Sequence, residues 1–189
     1  MEKYKKYIPY GIIAFIVLYI GGTYNSLISK QLFAEKTWGQ VETTYQARFD
    51  LVPSLVSIVK EAADFEKDTL TEITAARSAW AQAGSINQKV AAANSFDSAL
   101  SRLLVSVENY PTLTATRGFQ TFQSQIEGVE NRIRVARMDY NDSTLPYNKK
   151  LMRFPSNIIA NLFGFEELEL FKAAQGAEEA VNIKDLFNE

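Results

Sequence analysis

The 189 residues include no cysteine and no histidine. That double absence excludes disulfide staples, Cys–His and Ser–His–Asp catalysis, His-containing zinc centres and Glu-x-x-His di-iron bundles. It does not choose a compartment, because a cysteine-free chain suits either side of a bacterial-type membrane. Proline, at 5, and glycine, at 9, are sparse, no segment is of low complexity, and a single folded domain is expected. No Walker loop or Rossmann fingerprint occurs. Charge is missing altogether from one stretch, Tyr7 to Ser29.

That stretch of about 23 residues is long enough to cross a ~30 Å hydrocarbon layer, which takes about 20 helical residues. Tyr4, Tyr7 and Tyr10 at one end and Tyr19 and Tyr24 at the other suit the two interfaces, where an amphipathic ring sits half wet. Lys3, Lys5 and Lys6 against Glu2 place residues 1–6 in the cytoplasm and the residues from about Lys30 outside the cytoplasmic face, on a periplasmic or extracellular side. A cleaved signal peptide would have similar parts, but this apolar run continues through Leu27 and Ile28, longer than a usual signal core.

The formal net charge is −2, and with three Lys and one Glu set aside in residues 1–29 the remainder carries −4. A nucleic-acid partner is therefore not expected, and anionic headgroups are repelled on average.

From Ser26 onward, apolar residues recur at intervals of three and four, so helices are predicted throughout. Trp38, Val41, Tyr45, Phe49 and Val52 form a first stripe. Pro53 should kink it, or restart it with Asp50 as N-cap. Leu55, Ile58, Val59, Ala62, Leu70, Ile73 and Trp80 continue to about Ala83. A third helix from about Asn87 turns Val90, Ala93, Phe96, Leu100, Leu103, Leu104 and Val107 inward and stops before Tyr110-Pro111. The fourth carries a coiled-coil-like seam of Phe119, Phe122, Ile126, Val129, Ile133, Ala136 and Tyr140. Close approach of a neighbour would explain Gly118 and Gly128 within it, and a merely tolerated glycine would explain them equally well. After Pro146 comes an apolar tail, Phe154 to Phe171, which must be covered by the bundle end, another subunit or the bilayer. Glu166, Glu167 and Glu169, with no base before Lys172, argue against its docking on anionic lipid.

The architecture predicted is all-α: a basic tail (1–6), a transmembrane helix (7–29), an elongated antiparallel bundle of three to four long helices with a short apolar helical tail (30–172), and a polar C-terminal tail (173–189).

From Tyr24 to Phe171 the chain resembles the LemA family. The resemblance rests on Tyr24-Asn25 with Leu27; Trp38; RFDLVPSL with Arg48, Asp50 and Pro53; Glu66, Leu70, Ile73 and Arg77; ENYPTL with Glu108 and Tyr110; ENRIRVARMDYN with Glu130, Arg137 and Tyr140; and YNKKLMRFP with Tyr147 and Phe154. Phe65 stands where the family pattern carries a histidine, and Pro146, between the two Tyr-Asn pairs, is expected to bend the last helix. The resemblance implies a bacterial-type membrane protein with one N-terminal span, a long helical bundle and no established enzymatic activity.

Arg48 falls on the first stripe and Arg77 lies four residues after Ile73, so both are placed to point inward. An inward arginine needs a carboxylate, and Glu66, Glu108 and Glu130 are the candidates, with Arg137 completing the set of structural ion-pair residues. Asp64, Glu66 and Asp68 alternate as in a calcium loop, but no Gly holds the sixth place and Ala75 stands at the twelfth. Glu127 and Glu130 form an i, i+3 pair without a histidine, better suited to salt bridges than to metal. No catalytic residue, metal ligand or cofactor site is assigned.

A membrane-tethered interaction or scaffold protein fits these features best. The alternatives are a modulator or sensor acting on a signalling partner, and a hydrolase that would need a carboxylate pair or a Ser–Lys dyad in a pocket. A helix leaving the bilayer at Tyr24-Asn25 is expected to have no bundle neighbour until about Trp38. Leu27, Ile28, Leu32 and Phe33, with Phe163 and Phe165 from the tail, are accordingly the candidate contacts of a homo-oligomer.

Overall fold

The computed structural model describes residues 7–60 and 67–172. The basic tail 1–6, the polar tail 173–189, and Ala62, Asp64, Phe65 and Glu66 lie outside these residues.

Every regular element among the described residues is helical. Helix α1, Ile8–Phe49, runs 42 residues. Its N-terminal part is long and apolar enough to cross a membrane. The chain turns at Asp50-Leu51 and resumes as α2, Val52–Lys60, so the break falls just before Pro53, whose missing N–H is harmless in a first turn. Helices α3, Lys67–Gln82, and α4, Ile86–Val107, form a hairpin, and the Ser85 hydroxyl caps α4 by accepting the Gln88 N–H at 3.3 Å. A short turn of helix, α5, Pro111–Thr114, leads to α6, Arg117–Met152, whose first turn is capped by the Thr116 hydroxyl. Helix α7, Ser156–Leu162, follows, and residues 165–172 are extended.

The helices pack where their apolar periods point. The α6 seam from Phe119 to Tyr140 is buried at each predicted position and lies along α1, which buries Trp38, Val41, Tyr45 and Phe49. Trp80 of α3 stacks on Tyr45 at 4.9 Å and on Trp38 at 5.9 Å, and Phe96 of α4 meets Phe49 edge-on at 4.8 Å, which joins the two helix pairs into one bundle. Pro146 stays inside α6, and the helix continues six residues beyond it. Of the two glycines in the seam helix, Gly118 has a close neighbour in Ile58, whereas Gly128 faces open space.

A second, smaller core sits at the other end of the α1/α6 pair. Leu27, Tyr147, Leu151 and Ala160 form it, with Phe165 and Leu168 packed against them. Leu27 is 0% exposed, because α6 and α7 reach down α1 well past Trp38, so the expectation that it stands uncovered is corrected. The helical tail ends where Gly164 adopts φ +72° and the Phe165 N–H returns to the Ala160 carbonyl at 3.0 Å, a left-handed cap that redirects the chain back along α6.

Candidate functional site: a buried charge cluster closed by an extended strap

Helices α1, α4 and α6 each deliver charged side chains to one cluster that runs from the core to the surface, with Arg48 buried, Asp97 and Arg137 24% exposed and Glu130 46% exposed. Arg48, 4% exposed, pairs with Asp97 of α4 and with Glu130 of α6. Arg137 of α6 pairs with the same Asp97 and donates to the Tyr45 hydroxyl, which itself donates to Asp97 at 3.2 Å. The Asp97 carboxylate thus bridges two guanidinia on different helices, and Glu130 supplies the second negative charge. The rings around them add cation–π contacts, with the Arg48 guanidinium 5.5 Å from the Phe96 centroid and that of Arg137 5.4 Å from Tyr45.

Burial sets the protonation of this cluster. It pushes the Tyr45 phenol far above its usual range, reinforced by the Asp97 charge, so Tyr45 stays neutral. It pulls the Arg48 guanidinium down, against the Asp97 charge, while for Arg137 the neighbouring Tyr45 and Asp97 more than offset burial and raise it. Both arginines remain charged, so the cluster is a fixed array of charge. Their Nε atoms are buried without a hydrogen bond, so the pairing falls to the terminal nitrogens.

Residues 165–172 close the cluster as a strap. Three asparagines hold its backbone as a neighbouring β-strand would. Asn148 donates to the Leu168 carbonyl at 2.7 Å and accepts the Leu168 N–H at 3.1 Å. Asn141 does the same for Phe171, at 2.8 and 3.0 Å. Asn87 of α4 donates to the Glu167 carbonyl and accepts from the Glu169 N–H. Tyr147 and Tyr140 add hydroxyl bonds to the Glu166 and Glu169 carbonyls, so an extended chain lies on a helical bundle with its polar backbone satisfied. Burial holds the Tyr140 phenol up to about 12. At the end of the strap Phe171 lies parallel to Trp38 and Tyr45, and the Arg137 guanidinium sits 4.7 Å from its ring centre.

Among the predicted ion-pair residues, Arg48, Glu130 and Arg137 come together. Glu108 does not: it is exposed at the end of α4. Arg77 is half-buried on α3 and has no ion pair among the described residues, and Glu66 lies outside them. Glu127 accepts from Gln123 on the surface and does not join Glu130. Asp97, the centre of the cluster, was missed. Its signal was present, since it follows Ala93 by four residues on the inward face of α4. Among the described residues no group of three or more acidic side chains could hold a metal ion.

The candidate assembly contacts divide. Leu27 is sealed in the small core, Ile28 and Phe165 are half-buried, and Leu32, Phe33 and Phe163 are exposed, with Phe163 resting 4.8 Å from the Tyr24 ring. Further along α1, an open groove of about 520 Å³ runs between α1 and α6, lined by Lys36, Gly39, Gln40, Thr43, Asn131 and Val135 among others.

The model of the LemA family matches residues 37–184, which includes the charge cluster and the strap. Protein LemA of Metamycoplasma hominis is 24% identical over 97% of this chain and 90% of its own length. Magnetosome protein MamQ 2 of Paramagnetospirillum magneticum is 31% identical, and Magnetosome protein MamQ of Magnetospirillum gryphiswaldense 28% identical, each over 50% of this chain. In both cases the match spans 35% of the magnetosome protein's length.

Proposed function

The chain belongs to the LemA family, and from that premise we propose that it is a membrane-anchored helical interaction or scaffold protein, self-assembling at the membrane and without catalytic activity of its own. It is anchored in a bacterial cell membrane by the N-terminal part of α1, with residues 1–6 cytoplasmic and the bundle outside, the orientation the lysine asymmetry favours.

The observation that carries this reading is the division of labour between inside and outside. Arg48, Arg137, Asp97 and Tyr45 are spent on one another, joining three helices, and Tyr45 is held neutral. Outside, the α1/α6 groove exposes Gly39, where an added Cβ would meet nothing within 4 Å. A glycine in a helix costs up to about 1 kcal/mol relative to alanine, and no contact among the described residues recovers that here. Close approach of a helix from a second copy would. Exposed Leu32 and Phe33 extend the same face toward the membrane, and tethering holds all copies in one orientation, so modest contacts suffice.

The test is the mass of the full-length protein in mild detergents, by light scattering with detergent subtracted, beside a groove-filling Thr43→Trp variant. Assembly of the parent and dissociation of the variant at an unchanged melting temperature is the outcome expected. A monomeric parent at every concentration and in every mild detergent would overturn the reading. Topology is checked separately by reporters fused after Glu189, for which phosphatase activity without cytoplasmic fluorescence is expected.

A further inference from the structure

The corner between α6 and α7 lies at the depth where α1 would leave the bilayer. The antiparallel register of α1 and α6 is fixed by the Thr37–Ser143 hydroxyl bond of 2.6 Å, and Lys150 comes close enough to Lys30 for the two charges to repel. Each further residue of α6 lies about 1.5 Å nearer the membrane, and the helix runs on to Met152, level with Leu27 and Ile28. Helix α7 then packs across α1, with Ala160 beside Leu27 and Phe163 against Tyr24. A span that begins at Ile8 and crosses ~30 Å takes about 20 residues and ends near Leu27. Helix α7 therefore sits level with the last turn of the span.

The outward side of this corner is apolar. Phe154 is 81% exposed and Leu162 73%, and Met152, Ile158 and Phe163 are each at least half exposed. Phe163 joins this corner to α1, its ring centre 4.8 Å from that of Tyr24, next to the exposed apolar stretch from Tyr7 to Tyr19. By the same register Lys149 and Lys150 stand just above the corner, near Lys30, with exposed Arg153 at its edge, and the sequence from Ser143 to Phe165 has no acidic residue. The acidic residues of the tail, which in the sequence argued against anionic lipid, are carried away from the membrane. The strap takes Glu166 to the level of Tyr147 and Glu169 to that of Tyr140, two turns further up α6.

We propose that the α6–α7 corner is a second membrane contact. Phe154, Ile158 and Leu162 enter the headgroup–acyl boundary of the leaflet from which α1 emerges, while Lys149, Lys150 and Arg153 lie at the phosphates of anionic lipids. Apolar side chains grouped with a basic margin fit such a boundary, and continuity with the span supplies the tether that keeps them there. This inference rests on the reading of α1 as a membrane span, but not on self-assembly.

The absence of native cysteine makes the test direct. Full-length Leu162→Cys, Phe154→Cys, Ile13→Cys and Val105→Cys variants, spin-labelled, are reconstituted into vesicles of equal parts phosphatidylcholine and phosphatidylglycerol. Collision with oxygen, which partitions into lipid, is compared with collision with a water-soluble nickel chelate. Val105, exposed on α4 near the end of the bundle remote from α7, reports water, and Ile13 reports the span. The ratio of oxygen to nickel collisions at Leu162 and Phe154 should exceed that at Val105 several-fold and approach that at Ile13. A lipid-like Ile13 with water-like Leu162 and Phe154 would overturn this inference alone; a water-like Ile13 would overturn the span as well. Spin–spin broadening at Leu162 that disappears on dilution with unlabelled protein would make the face a subunit contact and likewise overturn the proposal. Phe154→Trp gives an independent readout, with quenching by lipids brominated high on the acyl chain expected and none overturning it.

Discussion

The two cores of this bundle solve the problem of burial in opposite ways. The large one encloses Arg48, Arg137 and Asp97 amid Trp38, Trp80, Phe49, Phe96 and Phe171, whereas the small one, built of Leu27, Tyr147, Leu151 and Ala160, has no charged side chain in it. Away from the apolar N-terminal part of α1, a charge taken from water is tolerable only if another charge meets it inside. Beside the apolar part of α1, apolar packing alone fills the smaller core. The charges also add what apolar contacts lack, a fixed register: Arg48 reaches Asp97 and Glu130 only when α1, α4 and α6 are correctly aligned.

The charged core is most sensitive at Asp97. Asp97→Ala leaves two guanidinia facing each other without their shared carboxylate, a change in the class of one-sided loss of a buried pair, about 3 to 5 kcal/mol. For a chain of this size that is roughly 10 °C in melting temperature, read by circular dichroism in mild detergent. Arg48→Ala should fall in the same range, with Arg48→Lys recovering only part, because an ammonium lacks the fork that serves Asp97 and Glu130 together. Melting within a degree of the parent for both Asp97→Ala and Arg48→Ala would mean that the cluster is solvated.

The small core should respond by cavity formation alone. Leu27→Ala is expected to lose about 2 to 4 kcal/mol, independent of salt, whereas a sequence reading that leaves Leu27 uncovered predicts almost no loss. Asn148→Ala removes both bonds to Leu168 at about 1 to 3 kcal/mol for the stranded polar groups. Its distinctive signature is local: hydrogen exchange should quicken at the Leu168 amide and leave the seam of α6 unchanged. Uniform quickening along α6 would show that the strap and the bundle open together.

Alkaline pH gives the smallest effect. The Tyr140 phenol is raised in the folded state to about 12 from an ordinary value near 10. Its contribution is therefore complete below pH 10 and lost as pH climbs toward 12, amounting to about 1 kcal/mol at pH 11. Tyr140→Phe, though less stable at pH 8 for want of the bond to the Glu169 carbonyl, should show a shallower decline between pH 10 and 11. An unchanged slope would place the alkaline sensitivity elsewhere, with buried Tyr45 the next residue to test.

The sequence by itself determined the elements and their inward faces. Helical periods are local, so the seam from Phe119 to Tyr140, the stripe from Trp38 to Phe49 and the charge-free run that can cross a membrane were all legible, as was the inward turn of Arg48. Tertiary structure alone decided what those faces meet. Arg48 took Asp97, 49 residues away, along with Glu130, while Glu108 stayed outside, because the choice depends on how three helices are staggered and no period within one helix records that. Leu27 was covered for a related reason: α6 runs through Pro146 and carries α7 down beside the apolar part of α1. The strap was the least legible part. Asparagine side chains bonding to backbone follow no sequence period, and an apolar run such as Phe165 to Phe171 reads equally as helix or extended chain until the bundle presents Asn87, Asn141 and Asn148 at the spacing that holds it extended.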